Sequence, residues 1–261
     1  MKRVLLNLLL IIIISSIAVG CGKKQQPMDL YDSIKQRGSL VVGVEKNIKP
    51  FSFKNSNDQQ DGFEVDIAKQ MARAILGDEN AIEFVMVEPS NRISYLNSGQ
   101  ADMLIATLTI TPTRQGIVDF SDPYYIAGQT VLINKQSGIK SFADLNKKKI
   151  GVTFGTTALE GIKTAIPDCV VQGYKTYDEG YNALKSGEID AFASDDTILM
   201  GYELSDNSVK MLSQKYTQEP YGIAFRKGTE SLRTIEVANN VINLMKDNGK
   251  MTQLKNKWFK K

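Results

Sequence analysis

The densest group of residues able to do chemistry is Thr107-Leu108-Thr109-Ile110-Thr111-Pro112-Thr113-Arg114, directly after the apolar run Met103 to Ala106. Hydroxyls, backbone N–H groups and an arginine that can donate two parallel hydrogen bonds suit a carboxylate ligand. In an open α/β sheet such a group would lie beyond the carboxyl end of a strand, where ligands bind. The local pattern alone also fits an Arg114 that merely caps a surface helix. Histidine is absent from the sequence, which excludes Ser-His-Asp and Cys-His catalysis and His-ligated metal sites. An enzyme built on this chain would need carboxylate, lysine or tyrosine chemistry.

The elements that must position these residues follow from the apolar pattern. Leu40-Val41-Val42-Gly43-Val44 reads as a buried strand, and Val65, Ala68, Ala72 and Ile75 fall at helical spacing before Gly77. Ile82, Phe84 and Met86 alternate as in a strand, a helix starts near Asn91 and stops at Gly99, and Met103 to Ala106 is again apolar. Strands alternating with helices predict an α/β fold with a mainly parallel sheet. One signature occurs twice: Leu96-Asn97-Ser98-Gly99-Gln100-Ala101-Asp102 and Leu184-Lys185-Ser186-Gly187-Glu188-Ile189-Asp190, each leading into an apolar strand. Each copy reads as helix, glycine cap, strand. Lys149-Ile150-Gly151-Val152 opens the second unit as the Gly43-Val44 strand opens the first. Two related α/β lobes are the simplest account, although Ser-Gly after a helix is common enough to recur by chance. The segments around Thr130 to Ile133 and Glu219 to Phe225 are placed to carry the chain between lobes. The last helical stretches, with Ile235, Ala238, Val241, Ile242 and Met245 at core spacing, are expected to return to the first lobe.

The chain opens Met1-Lys2-Arg3, an apolar run from Val4 to Ile14, then Ser15-Ser16-Ile17-Ala18-Val19-Gly20-Cys21, the layout of a secretory signal. The apolar run is shorter than the roughly 20 residues of a spanning helix. Ala18-Val19-Gly20-Cys21 resembles a bacterial lipobox, with Ala18 in place of the commoner leucine, so Cys21 is expected to be lipidated (palmitate) and followed by a short polar tether from Gly22 to Pro27. Cleavage leaves Cys169 without an intrachain disulfide partner, so stability must come from a core, which a 42% hydrophobic composition can supply. The formal charge of +3 falls to +1 once Lys2 and Arg3 leave, which implies no strong attraction to nucleic acid.

Five blocks carry a more specific signal: Pro50-Phe51-Ser52-Phe53, Gly62-Phe63-Glu64-Val65-Asp66-Ile67-Ala68, Thr109-Ile110-Thr111-Pro112-Thr113-Arg114, Asp119-Phe120-Ser121-Asp122-Pro123-Tyr124-Tyr125 and Tyr221-Gly222-Ile223-Ala224-Phe225. Over nearly all of Gly38 to Phe259 the chain resembles the bacterial extracellular solute-binding proteins of family 3, the polar amino-acid binders of ABC importers. By that resemblance Arg114 clamps a ligand α-carboxylate, Thr109 adds its N–H and hydroxyl, and the Thr107 carbonyl accepts from the ammonium. Asp195 matches the second-lobe carboxylate that pairs with the ammonium, whereas Asp196 reads as a helix N-terminal charge. Gly155-Thr156-Thr157 falls where second-lobe amides and hydroxyls receive the carboxylate. Arg92 resembles an arginine that holds the distal group of acidic or amide side chains, and a solvated arginine in a helix's first turn is its plainer role. Glu45 falls at a specificity position. Paired with Arg92 it makes the distal site nearly neutral and favours glutamine or asparagine; pointing away, it leaves Arg92 to favour glutamate or aspartate. Ile48 departs from an aromatic wall seen in many members, and Thr153 from a basic residue seen in some. Phe51 and Phe53 line the pocket or sit in the core.

The resemblance implies a two-lobed periplasmic-binding-protein-like (type II) fold, with the lobes joined by two crossing hinge strands. Expected segments are a signal at 1–20, a lipidated N-terminus and tether at 21–37, a discontinuous first lobe at 38–128 and 219–261, and a second lobe at 129–218. It implies hinge closure on a free polar amino acid of the glutamate, glutamine, aspartate or asparagine class and delivery to an ABC permease and ATPase. The expected protein is a monomer on the extracytoplasmic face of the cell membrane, held by Cys21, with no cofactor, metal or catalytic residue. Two other readings share the fold: a cyclohexadienyl dehydratase-like enzyme and a ligand-sensing receptor module.

Overall fold

A computed structural model describes residues 28–259. The signal segment, Cys21 and the first part of the tether lie outside the described residues. The rest of the expected tether is not a tether. Leu30–Arg37 forms helix α1, started by the Asp29 side chain accepting from the Tyr31 N–H and ended by Gly38 in the left-handed conformation. Leu30 and Ile34, four residues apart and so on one helix face, are buried, and each such burial stabilises the fold by roughly 1.5–3 kcal/mol.

The first lobe then builds from β1 (Leu40–Glu45), a small hairpin of β2 (Phe53–Lys54) and β3 (Gln60–Asp61), α2 (Phe63–Leu76), β4 (Ile82–Val87), α3 (Arg92–Asn97), β5 (Met103–Leu104), α4 (Pro112–Gln115) and β6 (Val118–Ala127). After Gly128 the second lobe follows as β7 (Gln129–Asn134), β8 (Lys149–Thr153), α5 (Ala158–Ala165), β9 (Val170–Tyr174), α6 (Tyr177–Ser186), β10 (Ala191–Asp195), α7 (Asp196–Ser205) and β11 (Val209–Met211). The chain crosses back through 212–218 into β12 (Glu219–Arg226), α8 (Leu232–Asp247) and α9 (Lys250–Phe259). Helix α8 buries Ala238, Val241, Ile242 and Met245 and packs on α2 and β6 of the first lobe. Among the described residues no helix is long and apolar enough to cross a membrane.

One five-stranded sheet has the order β4-β1-β5-β12-β6 and the other β11-β7-β10-β8-β9. Each is mixed, which corrects the expectation of mainly parallel sheets. β1 runs parallel to β4 and β5, and β8 parallel to β9 and β10. The antiparallel pairs are β12 with β5 and β6, and β7 with β10 and β11. These involve the strands on either side of the crossings, which have to run back against the parallel half.

The repeated signature has a physical cause. In the first copy Asp102 accepts from the Val41 N–H at 2.8 Å and donates its own N–H to the Val41 carbonyl at 2.9 Å. In the second Asp190 does the same with Lys149, at 2.9 and 2.8 Å. Each aspartate thus brackets the start of a strand next to the middle of its sheet, β1 or β8. Two residues further on, Gly43 and Gly151 lie under Leu104 and Ile189, which a Cβ would meet at 2.5 and 2.4 Å. Gly99 and Gly187 turn the helix ends with φ of 79° and 78°.

Candidate functional site

The Thr107 to Arg114 segment lies between β5 and β6 and is stitched to β12: Thr109 bridges to Tyr221, and the Ile110 N–H donates to the Pro220 carbonyl at 2.8 Å. Thr107 has a φ of 45°, an outlier for a β-branched residue. Buried Glu64 holds it there, accepting from the Thr107 N–H at 2.7 Å and from the Tyr124 hydroxyl at 2.5 Å. Burial pushes the Glu64 carboxyl up to about 7 against the pull of those hydrogen bonds. In α4 the Thr111 hydroxyl caps the Arg114 N–H and Pro112 fills the first turn, where no N–H is needed. Arg114 is 8% exposed, not a surface residue. Its guanidinium donates to the Thr109 carbonyl at 2.8 Å and, across the cleft, to the Gly155 carbonyl at 2.9 Å. Desolvation lowers it to about 10, so it stays a cation at neutral pH.

Gly155 is where the lobes touch. A Cβ there would sit 2.3 Å from the Pro89 carbonyl oxygen of the first lobe, and φ is +79°. Arg92 also reaches the Gly155 carbonyl, at 3.4 Å. One second-lobe carbonyl is thus gripped by two first-lobe guanidiniums, which defines a closed arrangement. Thr156 and Thr157 direct their hydroxyls inward. Thr156 donates to the Thr153 carbonyl at 2.7 Å, and Thr157 accepts from Gln129 at 2.7 Å and donates to Glu219 at 2.9 Å. The Ala158 N–H donates to the Thr156 hydroxyl at 3.2 Å, so what this loop has left to offer an anion is the neighbouring backbone N–H groups at the start of α5.

Asp195 ends β10, buried, and accepts from the Tyr221 hydroxyl at 2.5 Å. Burial, then the nearby Glu219, pushes its carboxyl up to about 7. Asp196 faces elsewhere: it accepts from the Gly128 N–H at 3.1 Å and pairs with Lys215, tying both crossings to the first turn of α7.

Glu45 and Arg92 meet. They are 1% and 2% exposed at the side chain and form an ion pair at 2.9 Å, with Arg92 also donating to the Ala106 carbonyl at 2.5 Å. Arg92 is therefore no solvated first-turn residue. Burial raises the Glu45 carboxyl while Arg92 holds it down. Because a guanidinium does not give up its proton, neutralising Glu45 would strand a buried cation, so the pair is ionised at neutral pH. Glu45 and Ile48 border a cleft of about 560 Å³ with Met86, Tyr177 and Tyr202. Phe51, expected among the ligand residues, goes to the core instead. It is fully buried against the rings of Phe63, Tyr125, Tyr221 and Phe259 at centroid distances of 5.1–6.2 Å.

Sequence reasoning missed Glu64, Gln129, Glu219 and Tyr177. Glu64 had a signal, an acid at the start of a helix whose neighbours Phe63 and Val65 are both buried. Gln129 and Glu219 carry none, because their partner Thr157 is far from them in the chain, and Tyr177 carries none, because the cleft it borders is assembled from distant segments.

The arrangement sets a cation, Arg114, and a carboxylate, Asp195, on opposite lobes of one closed cleft, with a charge-balanced pair beside them. Residues 40–261 match the bacterial extracellular solute-binding proteins, family 3. The ABC transporter glutamine-binding protein GlnH of Bacillus subtilis is 37% identical over 92% of this chain and 88% of its own length. The glutamine-binding protein of Geobacillus stearothermophilus is 41% identical over 77% of each. Among solved structures, the ancestral amino acid-binding protein AncCDT-1, a precursor of cyclohexadienyl dehydratase, superposes with a TM-score of 0.78 at 38% identity, covering 88% of this chain and 99% of that one. The fold is accordingly the two-lobed type II binding-protein fold, and the chain belongs to the bacterial extracellular solute-binding proteins of family 3.

Proposed function

We propose that this protein captures a free amino acid with a neutral polar side chain, glutamine first and asparagine next, and delivers it to the permease and ATPase of an ABC importer. The observation that carries the reading is the buried Glu45–Arg92 pair. It supplies donors and acceptors without net charge, which suits a carboxamide better than a carboxylate or an ammonium. The relatives' glutamine-binding names point the same way. Arg114 receives the α-carboxylate in place of the Gly155 carbonyl, together with Thr109 and the Thr157 N–H. The Thr107 carbonyl and Asp195 take the ammonium. A ligand touching both lobes favours the closed form, and that shape is the signal the importer reads.

The site calls for no bond making. A dehydratase role has a specific motive in the relationship to AncCDT-1, yet Asp195 opposite Arg114 favours a zwitterion over a carbocyclic acid lacking the ammonium. The protein acts at the extracytoplasmic face of the membrane, held by lipid on Cys21. The test is thermal unfolding of residues 28–261 with each of the twenty amino acids. At a thousandfold over Kd a ligand adds about 4 kcal/mol, and glutamine should give the largest shift. No shift with any amino acid, together with turnover of prephenate, would sink the transport reading.

A further inference from the structure

The second lobe contributes one more group to the distal end of the cleft. Tyr177 is the first residue of α6, set by the Thr176 hydroxyl accepting from the Glu179 N–H. Its side chain is 5% exposed, among apolar side chains contributed by both lobes. It borders the same cleft as Glu45, Ile48 and Met86. The tyrosines beside it have partners: Tyr202 donates to Asp178 at 2.7 Å, Tyr181 to Asp206 at 2.5 Å and Tyr221 to Asp195 at 2.5 Å. The Tyr177 hydroxyl makes no hydrogen bond among the described residues; it opens onto the cleft, where a ligand group can reach it. The charges of Glu45 and Arg92 both act on that hydroxyl, as do those of Asp195 and Arg114.

We propose that Tyr177 is a specificity-determining residue whose hydroxyl bonds the polar end of the ligand side chain when the lobes close. The inference rests on the amino-acid-binding reading and deepens it. A first-lobe pair alone would hold a side chain equally in open and closed forms. A hydroxyl from the second lobe makes closure depend on what the side chain ends in. Binding a ligand without a polar terminus would leave that phenol, and the pair facing it, unmatched.

Calorimetric titration of the wild type and Tyr177→Phe with glutamine and with norvaline tests this, norvaline ending in a methyl group where glutamine carries its amide. Tyr177→Phe should weaken glutamine about tenfold, as expected for one lost hydrogen bond in a dry site, and norvaline less than twofold. Equal losses for both would make Tyr177 a packing residue and overturn the proposal, as would unchanged glutamine affinity. A wild type that binds neither amino acid would instead sink the parent reading. An unchanged melting temperature of ligand-free Tyr177→Phe keeps folding out of the comparison.

Discussion

Replacing Glu45 by glutamine changes the charge of the distal site from about zero to +1 and leaves its shape nearly intact. In the wild type a ligand carboxylate meets Arg92 already paired at 2.9 Å, so what it gains from the cation it loses to Glu45. In Glu45→Gln that repulsion is gone. Two unit charges about 4 Å apart interact by roughly 4 kcal/mol at the effective dielectric of a partly wet protein site. Stripping water from the incoming carboxylate takes back part of this, leaving a swing of about 3 kcal/mol, or on the order of a hundredfold, in glutamate over glutamine. The substitution also strands Arg92, whose three bonded partners are the Glu45 carboxylate and the carbonyls of Ala106 and Gly155. Removing one member of a buried pair costs about 3–5 kcal/mol, less here because the glutamine oxygen still accepts. Ligand-free Glu45→Gln should therefore melt below the wild type and recover more with glutamate than with glutamine. Titration calorimetry of both proteins with both ligands at pH 7.5 measures the swing directly. A glutamate-to-glutamine ratio within threefold of the wild-type value would refute the claim that Glu45 neutralises the distal site.

Gly155→Ala should block closure, since its Cβ would lie 2.3 Å from the Pro89 carbonyl and its φ of +79° disfavours a side chain. Affinity should fall more than a hundredfold, and small-angle scattering should show no contraction on adding ligand. Asp195 holds its proton up to about 7, so its pairing with an ammonium weakens as pH falls through that value. Affinity should drop between pH 8 and pH 5, with Asp195→Asn flattening the profile. Glu64 and Asp195 both titrate higher folded than unfolded. The native state binds more protons between about pH 4 and pH 7, so their contribution to ligand-free stability is full below about pH 4 and is lost as pH rises to about 7. Calorimetric melting across that range checks the sign.

Much of the frame is legible in the residues. Apolar runs mark β1, β5 and β10, glycines at left-handed positions end the helices, and the doubled signature marks two related sheets because each copy carries an aspartate that brackets a strand. The N-terminal helix was equally readable: Asp29 before it, Gly38 after it, and Leu30 and Ile34 four apart, hidden only by the polar run that precedes it. The sheets' mixed character was not readable, since strand direction depends on where the two crossings deliver the chain. In the site, Arg114 stands out through its hydroxyl-rich loop. The Glu45–Arg92 pair was one of two arrangements left open by the family resemblance, because residues separated by 47 positions have no local pattern that could decide between them. Phe51 shows the converse limit. An aromatic in a short extended segment fits core and pocket alike until Phe259, from the far end of the chain, packs against it at 5.1 Å.

The strand brackets made by Asp102 and Asp190 also bear on engineering. With an early N–H of β1 and of β8 fixed by a buried or half-buried carboxylate, bending either lobe breaks bonds inside it, and relative motion of the lobes falls to the two segments that join them, Gly128 and 212–218. The molecule therefore has close to one soft coordinate. A donor dye on exposed Ile117 and an acceptor on exposed Leu159, one on each lobe, would turn that coordinate into a single optical readout, and changing the cleft residues would retune the sensor without recalibrating its mechanics.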